Sequence, residues 1–332
     1  MNTHCLIIAT VLLAILSVSA TAETSLNNIR WNGFLNVLGS VSNEEVNYVN
    51  EIDDSGSATE TNFGLSASAV LNRQLRVAGQ LHMINGLARF DWGFANYSLS
   101  SSTQIRAGKI KYAGSLVSDY VDIGFSYPWI RAPESIYSEA ADLSFEAYSG
   151  AGLEYATGDD TTFLLNFYGG QTSDDDEDHD KLIGIAALLS NDYGEIRLNA
   201  NQSEVQSPGE PVDGEKRVIL NAGIQGELNN FVLYSEYSHS EIENNFETDA
   251  WYASLGFRLG KNLPLFTYQR YEIDTGVEQS SWTLGLTHQY TSSVVLKLEL
   301  QSVFDIKKGG LFVAPPGEDK VVIISTALNF VF

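Results

Sequence analysis

The sequence predicts an all-β protein, a transmembrane antiparallel up-and-down β-barrel of about sixteen strands. Three observations lead to this prediction. Past residue 23 the apolar residues alternate with a period of 2, the connections between such segments alternate in length, and the last segment ends on an aromatic residue. A long third loop is expected to fold into the lumen of this barrel.

Composition excludes several other classes of protein. The 332 residues carry a formal net charge of −23, which leaves no positive footprint for nucleic acid. Apolar residues make up 44% and aromatic residues 11%, too much for a disordered chain. The mean hydropathy of −0.08 argues against a bundle of membrane helices.

Alternation is clear in the segment Val294 to Phe304. One parity is uniformly apolar, and the other carries charges and an amide: Leu296, Leu298 and Leu300 against Lys297, Glu299 and Gln301. One face therefore suits lipid, and the opposite face suits water.

Sixteen such segments can be counted. They start near residues 29, 62, 75, 88, 104, 145, 161, 181, 195, 216, 230, 249, 263, 280, 294 and 320. Short turns alternate with linkers that are mostly longer: Ser42–Thr61, Tyr112–Ser144, Gln171–Asp180, Glu204–Glu215 and Asp305–Asp319. Strict alternation over an even number of strands places the long loops at one end and both termini at the other.

A soluble β-sandwich is the alternative fold. It would have to bury the charged parity, which holds Arg76, Arg89, Arg106, Arg197, Arg258 and Lys297. A water-filled barrel avoids that cost, so we favour the barrel.

The N-terminus predicts an export signal. Leu6 to Val18 is an apolar run too short to span a membrane, and Ala20-Thr21-Ala22 fits a cleavage site, although Lys and Arg are absent ahead of the run. We therefore expect a cleaved signal peptide over 1–22 and a barrel over 23–332. A buried apolar helix is the alternative. The mature chain holds no cysteine, which suits an oxidising compartment.

The last strand places Leu328, Phe330 and Phe332 on one apolar face. This ending resembles the C-terminal signature of Gram-negative outer-membrane proteins. The resemblance implies that these residues serve as an assembly signal for the barrel-assembly machinery.

The mature chain also resembles the general porin superfamily of Gram-negative bacteria. The most similar segments are Arg106-Ala107-Gly108-Lys109-Ile110-Lys111 and Pro128-Trp129-Ile130-Arg131-Ala132-Pro133-Glu134, which look like the strand and third loop of such proteins. The resemblance implies a third loop that narrows the pore, a location in the outer membrane and, by analogy, a homotrimer.

The longest linker, from Tyr112 to Ser144, is the expected constriction. Its apolar content indicates that it packs against something. We expect its acidic side to face a basic wall across the lumen. The opposite charges would then set up an electric field across the pore, and this field would select small polar solutes. The residues concerned are Asp119, Asp122, Arg131 and Glu134 on the loop and Arg76, Arg89 and Arg106 on the wall. In the alternative interpretation, these arginines simply pair with Asp91 or other wall carboxylates.

The outer loops are acidic without compensation. Ser42–Thr61 and Gln171–Asp180 hold six carboxylates each and Glu204–Glu215 four, with no Lys or Arg. We expect a surface that attracts cations, including those that bridge lipopolysaccharide, in preference to a dedicated calcium site. An acidic mouth would favour the passage of cations, and a basic lumen would favour anions. The sequence does not decide which of the two sets the ion selectivity.

One segment breaks the alternation, since Leu182 to Leu189 is apolar on both parities. Either a loop covers its inner face or the segment packs at a subunit boundary.

The function predicted is an outer-membrane porin for passive diffusion of small hydrophilic solutes and ions. The alternatives are a substrate-specific channel for a sugar or an anion such as phosphate, and a non-conducting receptor or adhesin. The mature histidines (His82, His179, His239 and His288) match no catalytic motif, so we expect no enzyme. We also expect no metal site, no cofactor and no nucleic-acid partner.

Overall fold

The computed structural model describes residues 29–141, 143, 146–173 and 178–332, without the side chains of Ser173 and Asp178. The predicted signal peptide and the acidic residues 174–177 lie outside the described residues. Each predicted strand is present and begins within about three residues of its expected start.

The strands follow one another along the whole chain. They are β1 Ile29–Ser42, β2 Asn62–Val70, β3 Leu75–Ile84, β4 Leu87–Ser98, β5 Thr103–Lys111, β6 Ala147–Thr157, β7 Thr162–Ser173, β8 Asp178–Asn191, β9 Gly194–Gln206, β10 Lys216–Leu228, β11 Phe231–Ile242, β12 Glu247–Phe257, β13 Asn262–Ile273, β14 Val277–Gln289, β15 Val294–Lys307 and β16 Val321–Val331. Each strand pairs antiparallel with the next, and β1 closes the barrel against β16.

The parity of each strand follows the sequence pattern. On β15, Leu296, Leu298 and Leu300 are exposed on the outside, while Lys297 and Gln301 are buried on the inside. The exposed apolar side chains of the other strands continue this band around the barrel. Such a band is the surface that a membrane-spanning barrel presents to lipid.

No helix among the described residues is both long enough and apolar enough to cross a membrane.

The prediction that short and long connections alternate strictly is wrong. The turns at the end that holds the termini are short, as expected, but the connections 85–86, 243–246 and 274–276 at the other end are short as well. Asn85 and Gly86 both have positive φ, which is the geometry of a two-residue hairpin turn. The linker Gln171–Asp180 also shrinks, because β7 and β8 extend into it and pair Thr172 with His179.

The C-terminal aromatic residue lies at the closure of the barrel. Phe332 exchanges backbone hydrogen bonds with Gly33 on β1, at 2.9 and 3.0 Å. Its ring covers the place where Gly33 lacks a side chain and lies 5.7 Å from the ring of Phe330. The alternating face that ends on Phe332 therefore points outward, with Leu328 and Phe330 exposed.

The two largest apolar clusters of buried residues lie inside the barrel, and a third joins Leu38, Ile130 and Ala327. The smaller of the two largest covers the inner face of the doubly apolar part of β8, because Leu182 and Ala186 pack there with Tyr112, Tyr168 and Ile219. The inner face of that segment is therefore covered by side chains of neighbouring strands and by Tyr112 at the start of the third loop. The larger cluster joins the third loop to the inner faces of β12, β13, β15 and β16.

Candidate functional site: the third loop and the wall it faces

The described part of the third loop, residues 112–141, 143 and 146, is compact. Short 3-10 turns at Ser118–Tyr120, Gly124–Ser126 and Glu139–Ala141 flank helix α1, Glu134–Tyr137. Its apolar side chains are buried, with Leu116, Val117 and Ile136 at 0% exposure and Trp129 at 2%. The apolar content of the loop therefore reflects packing.

The backbone of the loop is held by polar side chains of the inward parity. Glu236 on β11 accepts from the N–H of Leu116 at 3.0 Å. Glu299 on β15 accepts from the N–H of Ile130 at 2.7 Å. Gln269 on β13 likewise accepts from Ser135 at 3.0 Å. These bonds fix the loop against β11, β13 and β15.

Lys297 on β15 contacts the backbone of the loop at three points. Its ammonium donates to the backbone carbonyls of Gly124, Tyr127 and Trp129, the second of these at 2.8 Å. The side chain is 1% exposed, so these bonds replace water as its hydrogen-bond partner. Sequence reasoning placed Lys297 inside the barrel but gave it no role.

The charged residues of the loop find partners that differ from those expected. Asp119 pairs with Arg197 on β9 at 3.4 Å, and Asp122 pairs with Lys111 at the end of β5 at 2.6 Å. Arg131 pairs with Glu60 ahead of β2.

Glu134 has no ion pair among the described contacts. It accepts hydrogen bonds from Gln269 and Gln301, at 2.5 and 3.1 Å.

The expected basic wall of three arginines does not form one patch. Arg76 pairs in register with Asn96, and Asn96 pairs with Arg106, so two of the arginines share a row. Arg89 pairs with His82, six residues further along β3 and about 20 Å from that row. A β-bulge in β4 and the length of β3 put Arg89 near the loop end of the barrel.

Two of the three arginines pair with carboxylates, and only Arg106 pairs with one on the wall, as the alternative interpretation held; Asp91 is the partner of neither. Arg89 contacts Glu146 at 2.6 Å, and Arg106 contacts Glu154 at 3.3 Å. Arg106 also lies 5.1 Å from the centroid of the Phe94 ring. Within the described residues, the predicted loop carboxylates Asp122 and Asp119 pair with Lys111 and Arg197 instead.

Burial and charge act in opposite directions on the loop carboxyl groups. Burial would raise the pKa of Asp122, but the Lys111 ammonium outweighs it and holds that pKa below its usual range. For Glu134 burial dominates, and it raises the pKa although Arg131 and the Gln269 bond oppose the shift.

Space remains between the loop and one side of the barrel. A cavity of about 580 Å³ separates the loop from β1–β4 and β16. The charged residues that line it are Glu60, Asp122, Glu134, Glu139 and Glu146 against Arg89 and Arg131. A second cavity, of about 450 Å³ at the turn end, has Asp192, Glu195 and Glu227 against Arg258. Both cavities therefore carry an excess of carboxylates.

Comparison of the sequence finds no match to a family model and none to a curated protein. Solved structures do match. An anion-selective porin from Comamonas acidovorans is 12% identical, with 92% of this chain and 99% of that one covered and a TM-score of 0.66. OmpF of Salmonella typhi in complex with daunomycin is 11% identical, with 92% and 97% covered and a TM-score of 0.64. In-vitro folded OmpT of Vibrio cholerae in its trimer form is 13% identical, with 92% and 99% covered and a TM-score of 0.58.

The chain is similar to these proteins over its full barrel, at identities that establish the fold alone. It has the porin fold, a closed 16-stranded outer-membrane barrel of the Gram-negative type.

Proposed function

We propose that the protein is a porin, a water-filled channel through which small hydrophilic solutes and ions diffuse passively across the outer membrane. The observation that carries this proposal is the asymmetric position of the third loop. Buried contacts tie the loop to the inner faces of β11–β16, and an open cavity remains on the β1–β4 side. A loop held in this way narrows a pore without filling it.

We propose further that the channel prefers cations. Carboxylates outnumber basic residues in both cavities, and the basic row of Arg76 and Arg106 is offset by Glu154. Fixed negative charge along a narrow aqueous path raises the local concentration of cations. The same charge disfavours a channel specific for an anion such as phosphate, while a sugar channel stays compatible with it.

One observation favours a second function, that of a non-conducting surface receptor. Much of the interior is occupied by the two buried clusters, including Tyr112, Trp129 and Tyr168. If these clusters and the third loop block the path completely, the acidic outer loops are the functional surface.

The remaining partners follow from the proposed location. The apolar exterior would contact outer-membrane lipid and lipopolysaccharide, and the aromatic C-terminus would be read by the barrel-assembly machinery. A homotrimer is supported by small outward residues on neighbouring strands, among them Ala67, Gly79 and Ala107, which let two barrels approach closely. Cross-linking of the detergent-solubilised protein measures its subunit number.

Liposome swelling tests the proposal. Vesicles that contain refolded protein should swell in mono-, di- and trisaccharides at rates that fall with solute size and do not saturate with concentration. Saturation by one sugar would favour the specific channel. Absence of swelling with folded protein would favour the receptor.

A further inference from the structure

Three potential metal ligands converge between the third loop and the wall it leaves open. They are His82 on β3, Asp91 on β4 and Asp122 on the loop. One ligand atom from each lies within 4.8 Å of the others. They come from three separate elements, and this explains why no metal-ligand spacing is visible in the sequence.

His82 is the most informative member of this group, which we call the His82 cluster. The residue is 2% exposed, and neither ring nitrogen has a hydrogen-bond partner among the described residues. Its ring lies 5.9 Å from that of Phe34. A buried polar group without a partner costs about 1–3 kcal/mol, so a native protein rarely keeps one without a reason.

A β-bulge brings Asp91 to His82. Gln80 pairs with Trp92 and Leu81 with Phe90, which leaves Asp91 as an extra residue on β4. Gln80 donates to Oδ2 of Asp91 at 2.7 Å and so fixes the orientation of the buried carboxylate. Bulges of this kind re-aim side chains next to functional sites.

The cluster already holds a cation in the structure. The Lys111 ammonium lies 3.0 Å from Oδ1 of Asp91 and 2.6 Å from Oδ2 of Asp122. It also lies 3.3 Å from Glu146, so it keeps one carboxylate if another cation displaces it from the aspartates. The surroundings thus favour positive charge, and a metal ion would compete with the Lys111 ammonium for the two aspartates.

We propose that the His82 cluster binds a divalent transition-metal ion, with Zn²⁺ the best fit to one imidazole and two carboxylates. Imidazole and carboxylate ligands together suit Zn²⁺, and water can complete a tetrahedral set. Because Asp122 belongs to the loop while His82 and Asp91 belong to the wall, the ion ties the loop to β3 and β4, which lie four and five strands around the barrel from the Lys297 anchor on β15. Under the proposed porin function, on which this second step rests, the bound ion narrows the pore.

Calorimetric titration of ZnCl₂ into refolded, chelator-treated protein without an affinity tag tests binding directly. We expect one site that weakens at least tenfold in His82→Ala and in Asp91→Asn. His239→Ala is the matched control, because His239 lies near a different carboxylate, Asp249, and should leave binding unchanged. Lys111→Met should tighten binding, because it removes the competing cation. Heat-modifiable migration on gels shows that each variant is folded.

Unchanged affinity in His82→Ala, or no binding by the folded wild-type protein, would overturn the proposal. Current recordings keep the two proposals separate. A barrel that binds Zn²⁺ without conducting supports the metal site and contradicts the porin. A barrel that conducts without binding Zn²⁺ supports the porin and contradicts the metal site.

Discussion

At the scale of single residues, the interior is organised by buried polar groups that hold the third loop. Lys297 is buried, and its side-chain nitrogen donates to three backbone carbonyls of the loop. Glu236, Gln269 and Glu299 hold loop N–H groups in the same way. The inward parity therefore serves as a set of loop anchors as well as a water-facing surface.

Replacing Lys297 by Met should loosen the loop. The change leaves three buried carbonyls without a donor, so we expect the free energy of unfolding to fall by about 1–3 kcal/mol. We also expect single-channel current to become larger or noisier. Lys261→Met removes the same charge from an exposed turn and should change neither. Wild-type current and stability in Lys297→Met would contradict the anchoring role.

The burial of Glu134 should be visible in the pH dependence of stability. Its pKa is raised by burial, so the folded protein holds this proton more tightly than the unfolded chain does. Stability therefore falls as the pH rises from the ordinary glutamate pKa through the raised one. Glu134→Gln should flatten the pH dependence of the melting temperature above the ordinary glutamate pKa of about 4.3, whereas Glu139→Gln, exposed at the loop surface, should keep the wild-type slope. Equal slopes in all three proteins would exclude the assigned burial effect.

Sequence reasoning identified some of these residues and missed others. It selected Asp119, Asp122, Arg131 and Glu134, which the structure does place in ion pairs or hydrogen bonds with the inner wall. It missed Lys297, whose partners lie 168 to 173 residues away along the chain. Such pairs depend on how the loop folds, and no local pattern records that.

At the scale of elements, glycines let the strands come close on one side of the barrel. Gly108, Gly150 and Gly170 pair in register across β5, β6 and β7. A Cβ on Gly150 would lie 2.1 Å from the carbonyl oxygen of Gly169. The backbone therefore excludes any side chain at this position.

Gly150→Ala should destabilise the barrel, because the new methyl group meets backbone that cannot rotate away. We expect a loss of about 1–3 kcal/mol in urea unfolding. Gly39→Ala on β1 is the control, since nothing lies within 4 Å of its added Cβ. If the two variants unfold at the same urea concentration, the close approach of β6 and β7 is not as described.

The strands were predictable where the loops were not. Period-2 alternation depends only on residues two apart, so it located all the strands. Loop length at the far end depends on where pairing stops, and β7 and β8 continue to pair through a stretch whose composition suggested a loop. The predicted position of Arg89 was wrong for a related reason, because neither a one-residue bulge nor the register of a strand can be read from composition.

At the scale of the whole molecule, the net charge of −23 is reflected in the two cavities that would carry solute, because both are lined by more carboxylates than basic residues. We therefore expect cations to be preferred, because Arg89 and Arg106 have carboxylate partners and the linings of both cavities hold more carboxylates than basic residues.

Glu139→Gln should weaken cation preference by removing one unpaired carboxylate from the lining of the larger cavity. We expect the reversal potential in a salt gradient to move toward zero. Glu318→Gln, which removes the same charge from an exposed loop outside that lining, should cause a smaller shift. A larger shift from Glu318 would place the selective charge at the mouth of the barrel.

Single-channel recording of the refolded protein in a planar bilayer, with a salt gradient across it, tests the central claim most directly. We predict steady current steps and a reversal potential of the sign that indicates cation preference. An anion-selective sign would contradict the charge assignment, and a complete absence of steps from heat-modifiable, folded protein would contradict the porin itself.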